Sequence, residues 1–133
     1  MKKILCAVAL LLGMSAMFVS CDKDNPADYS KNIVGTWNVE KTEYYHNGEL
    51  VHTEPGTVQT VFTAEGKFYT TEASAIQGDY TISGDKITMS FILNFTATIL
   101  KLSTTEMQLE QTGDGVLSQI TYDKLITYYK KAK

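Results

Sequence analysis

Residues 78–91 read Gly78-Asp79-Tyr80-Thr81-Ile82-Ser83-Gly84-Asp85-Lys86-Ile87-Thr88-Met89-Ser90-Phe91, and this stretch decides the fold class. In an extended chain Tyr80 and Ile82 fall on one face and Thr81 on the other. Beyond Gly84-Asp85, Ile87, Met89 and Phe91 share a face against Thr88 and Ser90. Apolar residues recurring at every second position describe a strand with one face on a core and the other in water. Gly84-Asp85 is turn chemistry between the two runs. The stretch therefore predicts an antiparallel hairpin of strands 78–83 and 86–93.

Outward from this hairpin the same grammar repeats. Asn47-Gly48, Pro55-Gly56, Glu65-Gly66 and Gly113-Asp114-Gly115 punctuate runs rich in Thr, Val, Ile, Tyr and Phe. Asn-Gly is the strongest short hairpin signal, because both of its residues tolerate positive φ. The predicted strands are 34–46, 49–63 with a kink at Pro55-Gly56, 67–73, 78–83, 86–93, 95–103, 106–112 and 123–131. No helix of any length is expected. Short connections between successive strands give an up-and-down meander, and closing it into a barrel removes the two exposed edges. The expected fold is all-β, a single antiparallel up-and-down β-barrel of about eight strands, whose interior is either filled by side chains or holds one small ligand.

The N-terminus carries a different signal. Met1-Lys2-Lys3 precedes an uncharged apolar run, Ile4 to Val19, too short for a membrane span of roughly 20 residues but right for an export signal. The run stops at Ser20-Cys21, and Asp22-Lys23-Asp24-Asn25-Pro26 follows. This resembles the lipobox of bacterial lipoproteins, which implies cleavage before Cys21 and acylation of that cysteine. The expected divisions are a signal peptide over 1–20, an acylated polar tether over 21–32 and a barrel over 33–133. Two or more acyl chains turn marginal membrane binding into stable anchoring. Cys6 leaves with the signal, so Cys21 is the only mature cysteine and neither a disulfide nor a cysteine-type zinc site is expected. The expected location is the cell envelope, lipid-anchored at the outer membrane.

Charge narrows the partners. The sequence of 133 residues has net charge −3 and no arginine. Loss of Lys2 and Lys3 with the signal makes the mature chain more acidic still. Arginine is the favoured bidentate reader of phosphate and guanine, so nucleic acid is not an expected partner.

Ile33-Val34-Gly35-Thr36-Trp37 opens the first strand with a Gly-x-Trp signature that resembles the start of lipocalin-like barrels. Residues 60–68, 78–87 and 126–131 also resemble small lipocalin-like lipoproteins of the Bacteroidetes type. The resemblance implies that Trp37 packs across a closed barrel end and that the barrel binds a small apolar or amphipathic molecule. Larger lipocalins cover that tryptophan with an arginine on the last strand, and here Lys130 or Lys131 would have to do so.

Uniform pairing about Asn47-Gly48 sets His46 opposite Glu49, Tyr45 opposite Leu50, Tyr44 opposite Val51, Glu43 opposite His52 and Lys41 opposite Glu54. Strand alternation then puts Trp37, Lys41, Glu43 and Tyr45 on one face. With Trp37 inward, Lys41, Glu43, His52 and Glu54 line one mouth of the barrel, and Tyr45 and Leu50 form its rim. The competing arrangement is a β-bulge near Lys41 that turns these charges outward as cross-strand ion pairs. His46 and His52 fall on opposite faces in uniform register, so no metal site is expected. No nucleophile elbow or phosphate-binding glycine loop is present, and neither an enzymatic activity nor a cofactor is expected. The remaining reading is a non-enzymatic envelope interaction protein or inhibitor that works through its exterior aromatics and loops.

Overall fold

The structure, a computed structural model, describes residues 25–132. The expected signal segment and Cys21 lie outside the described residues. A 3₁₀ turn at Pro26–Asp28 leads into a one-turn helix, α1 (Tyr29–Asn32), and then into nine strands: β1 (Gly35–His46), β2 (Glu49–Pro55), β3 (Gln59–Phe62), β4 (Lys67–Thr70), β5 (Gly78–Ser83), β6 (Lys86–Ser90), β7 (Asn94–Leu102), β8 (Glu106–Leu117) and β9 (Ile120–Lys131), with a second 3₁₀ turn, Thr71–Ala73, where the expected strand 67–73 ends early. Every pairing is antiparallel. β3 to β9 follow one another as neighbours, and β1 joins β3 to β9. The result is the expected up-and-down barrel, closed by eight strands, with β2 as an extra strand on the far half of β1. The predicted strand 49–63 is β2 plus β3, broken at the predicted Pro55-Gly56 kink.

That break has a steric cause. Gly56 N–H donates to the Glu40 carbonyl at 2.9 Å, and Val39 N–H donates to the Val58 carbonyl at 2.9 Å. A Cβ at Gly56 would lie 2.0 Å from the Val39 carbonyl oxygen. Only glycine lets the two backbones approach so closely.

One end of the barrel is sealed. Ile33 and Trp37 have no exposed surface, and Tyr29 is 5% exposed. The expectation of a solvated tether thus gives way over Pro26–Asn32. Asn25 caps the turn by accepting from Ala27 N–H, and Tyr29 and Ile33 carry enough apolar surface to dock this segment on the barrel. The Trp37 indole donates to the Ile33 carbonyl at 2.8 Å. Lys131 Nζ lies 4.6 Å from the centre of the Trp37 ring and donates to the carbonyls of Asn32 and Val34. A lysine therefore covers the tryptophan. Its long apolar stem suits a semi-buried position while its ammonium finds carbonyl acceptors.

Above this seal the alternation read from the sequence fills the interior. Ile87, Met89, Met107 and Leu109 are buried, together with Phe62, Tyr80, Ala97, Ile99 and Leu102. Phe62 meets Tyr80 edge-to-face at 5.1 Å, a geometry that adds about 0.5–1.5 kcal/mol beyond the area buried. The Tyr80 hydroxyl donates to the Thr63 carbonyl, so its polar end is satisfied. Phe91, expected beside Ile87 and Met89, instead leaves the barrel in the β6–β7 turn and is half exposed.

Two boundaries differ from expectation. Gly113-Asp114-Gly115 is not a turn but an irregularity within β8, where the register shifts between Thr112 and Gly115. The turn comes later, at Ser118 and Gln119, both with positive φ. Gly115 stays in the strand because the Tyr122 ring lies over it, 2.4 Å from where a Cβ would stand.

Candidate functional site

Loops of an antiparallel meander alternate between the two ends of a barrel. The turns at 63–66, 84–85 and 103–105 share the sealed end with Trp37. The turns at 47–48, 71–77, 91–93 and 118–119 share the other. The wall at that open end is uneven. β1, β8 and β9 each have 12 residues, whereas β3 and β4 have 4. The long strands, with β2, therefore stand above the filled interior as a tall wall.

Two β-bulges decide which side chains this wall turns inward. Against β9, Val39 pairs with Tyr129 but Lys41 pairs with Tyr128, so Glu40 is an extra residue. Tyr129 also pairs with the buried Met107, which fixes its side of the wall as the inner one. Tyr128, and with it Lys41, Glu43 and Tyr45, is turned outward. Against β2, Tyr45 pairs with Leu50 and His46 with Glu49 as expected, but Tyr44 pairs with His52, leaving Val51 as the second bulge. His52 thereby moves to the face of Tyr44, and Glu54 comes to lie opposite Thr42. His46 and His52 end on the same face, contrary to expectation, because the bulge shifts His52 by one residue. No cluster of metal-ligating side chains forms among the described residues.

The candidate residues thus divide into three places. Trp37 belongs to the seal. Lys41, Glu43 and Tyr45 are on the exterior, with the 52% exposed Leu50 beside Tyr45. Only His52 and Glu54 face the mouth. The mouth grouping fails and the competing arrangement, a β-bulge near Lys41 that turns these charges outward, is the one that forms, because each extra residue reverses the inside–outside sense of everything beyond it.

The exterior group is a closed polar network. Glu43 Oε1 accepts from the hydroxyls of Tyr45 and Tyr128, each at 2.7 Å, and Lys41 Nζ lies 3.3 Å from Oε2. Lys41 also sits over the Tyr128 ring, and Lys124 over the Tyr45 ring. These side chains bury Ile126 on the outside of the wall, at 9% exposure. The two phenol donors, chiefly Tyr128, and then Lys41 hold the Glu43 carboxyl below its ordinary range. Burial and the Glu43 carboxylate push the Tyr128 phenol well above its ordinary value. A depressed carboxylate stabilises the fold fully above its unfolded pKa and loses that contribution as pH falls through the folded value. Glu43→Gln should accordingly flatten the acid side of the stability–pH curve. Urea unfolding in pH steps checks this, and parallel curves for the two proteins would refute it. Beside this network lies an exterior groove of about 140 Å³ between Glu40, Lys41, Glu106, Gln108, Tyr128 and Lys130. It is well below the roughly 300 Å³ at which small-molecule pockets begin.

The inner face of the wall is different. The Tyr44 ring meets Tyr122 edge-on at 5.0 Å and His52 at 5.6 Å. The Tyr44 hydroxyl donates to Glu54 Oε1 at 3.1 Å. Burial, followed by Glu54, raises the Tyr44 pKa. Asp123 ties the tip of β1 to β9, accepting from Asn47 N–H at 2.9 Å and lying 3.4 Å from His46 Nδ1.

Around this wall the open end is apolar. Leu50, Val51, Ile76, Phe91, Ile92, Leu93, Phe95 and Val116 all lie in or next to its loops; among the exposed large hydrophobic residues described, Leu100 alone lies elsewhere. Ile92 and Leu93 are 82% and 78% exposed. Single exposed apolar residues are ordinary, but their concentration at one end of a barrel is not. Tyr44, Tyr122 and the loop 91–93 were not among the candidate site residues expected from the sequence. The signal for the loop was available: Phe91-Ile92-Leu93 is three apolar residues in a row where the preceding strand alternates.

No family model and no curated relative matches the chain. Among solved structures the chain is similar to lobster apocrustacyanin A1, with a TM-score of 0.41 and 7% identity over 84% of this chain and 71% of that one.

Proposed function

We propose that this chain is a lipid-anchored envelope protein that holds a small apolar or amphipathic molecule at the open mouth of its barrel. The observation that carries the reading is the contrast between the two ends. One is sealed by Tyr29, Ile33 and Trp37, above which lies the cluster of buried core side chains. The other gathers exposed apolar side chains around a half-open aromatic wall. Ligand contact is therefore assigned to the mouth. Native mass spectrometry of the protein purified from envelopes tests this. A retained or added apolar molecule is expected, lost on the paired change Ile92→Ser with Leu93→Ser. A protein that neither retains nor takes up such a molecule would overturn the reading.

Attachment at the outer membrane through acylated Cys21 is part of the proposal, and the sequence at Ser20-Cys21-Asp22 supports it. Cys21→Ala should move the protein from the membrane to the soluble fraction and abolish palmitate labelling, with the barrel still folded. A Cys21→Ala protein that remained membrane-bound would sink the anchor. A second reading, an interaction protein or inhibitor, draws on the same exposed loops, and a partner recovered by pull-down that is lost with the Ile92/Leu93 changes would favour it.

A further inference from the structure

The composition of the open end restricts the kind of molecule it suits. Segments 46–55, 71–78, 90–95 and 113–123 contain Glu49, Glu54, Glu72, Asp114 and Asp123 and no lysine. The nearest lysine, Lys124, is turned to the outer face, over the Tyr45 ring and 3.7 Å from Glu110. The mouth therefore combines apolar loop tips, negative charge and the Tyr44 ring with its neighbours Tyr122 and His52, beside the exposed carboxylate of Glu54. A cation gains from such surroundings in two ways, through the ring faces and through the carboxylate. An anion would meet the like charge of Glu54.

We propose that the mouth selects an amphipathic cation, its ammonium-type head against Tyr44, Tyr122 and Glu54 and its apolar chain along Ile76, Phe91, Ile92 and Leu93. This rests on the mouth-binding reading above and adds the sign of the charge. A neutral amphiphile of equal chain length shares the apolar contacts and lacks the head-group contacts. Cation–π contacts of about 1–2 kcal/mol correspond to roughly tenfold in affinity.

The test uses the full-length lipoprotein in neutral phosphatidylcholine nanodiscs, with empty nanodiscs as the blank. Octyltrimethylammonium, octyl glucoside and octyl sulfate are titrated below their micelle concentrations and binding is read by calorimetry. The expected result is roughly tenfold tighter binding of the ammonium than of the glucoside, with the sulfate weakest. Glu54→Gln and Tyr122→Leu, each checked for folding by circular dichroism, should both narrow that preference by weakening ammonium binding more than glucoside binding. Equal binding of all three probes would overturn the cation selectivity while leaving the mouth reading intact. Binding of none above the blank would overturn the mouth reading itself. A preference for the ammonium that both variants retain would remove Tyr44, Tyr122 and Glu54 as the head-group site.

Discussion

Trp37→Ala is expected to destabilise the domain by about 3–5 kcal/mol, the range for deleting a large buried aromatic side chain. Trp37 is fully buried and is the contact through which α1, the start of β1 and the end of β9 are held together. Its loss leaves a void under Tyr29 and Ile33 and removes the ring on which Lys131 rests. Burial already holds the Lys131 ammonium below its ordinary pKa, so it has little solvation to fall back on when the ring is gone. The N-terminal segment should then detach, and its amides should lose protection in hydrogen exchange before the barrel unfolds. Trp37→Phe separates the two contributions. It keeps most of the apolar volume but loses the indole donor to the Ile33 carbonyl, at a cost of about 1–2 kcal/mol. Because Trp37 is the only tryptophan, unfolding should be followed by far-ultraviolet circular dichroism in urea and not by fluorescence. A loss below about 1 kcal/mol for Trp37→Ala would mean that the end is not sealed through this side chain.

This seal was half legible in the sequence. Gly35-Thr36-Trp37 marked the strand and the closed end, and the absence of arginine pointed to a terminal lysine over the ring. That Pro26–Asn32 folds back as part of the seal was not legible, because Tyr29 and Ile33 are only two apolar residues at the edge of a polar stretch. The hairpins were legible because alternation and turn residues are local properties. Asn47-Gly48 and Glu65-Gly66 fall where left-handed backbone is needed, with φ of 53° and 83° in the first and 84° at Gly66. Ser118 and Gln119 adopt the same region without glycine, so nothing local distinguished that turn from strand. The mouth was the least legible part. Its side chains depend on two inserted residues, Glu40 and Val51, which look like any others in a strand. Alternation carried from Trp37 to Tyr45 crosses the first of them, and pairing carried from Leu50 to Glu54 crosses the second. The outer-face placement of Lys41, Glu43 and Tyr45 was one of two arrangements open to the sequence, and tertiary pairing alone decides between them.

The glycine at the β2–β3 break gives the most direct handle on that register. Gly56→Ala is expected to cost about 3 kcal/mol or more, at or beyond the upper end for forcing extra volume into packed structure. The added Cβ would stand 2.0 Å from the Val39 carbonyl oxygen and 2.4 Å from its carbon. These are backbone atoms, so no rotamer change relieves the clash, and the chains must separate. Separation breaks the Gly56–Glu40 and Val39–Val58 hydrogen bonds, which pin β1 on the side opposite the Glu40 bulge. Gly48→Ala is the matched control. It sits at φ 83° with nothing within 4 Å, so it costs only left-handed strain of about 1–2 kcal/mol. Urea midpoints for the two variants, read by Trp37 fluorescence, make the comparison. Hydrogen exchange should show early loss of protection at Gly56 and Val39 in the first variant alone. Freed from its pins, β1 can slip by one residue past β9, which would carry Lys41 and Glu43 to the inside and Tyr44 to the outside. The Glu43-dependent part of acid stability should therefore disappear in Gly56→Ala. Equal midpoints for Gly56→Ala and Gly48→Ala, with that acid dependence unchanged, would show that the close approach at Val39 does not set the faces of the wall.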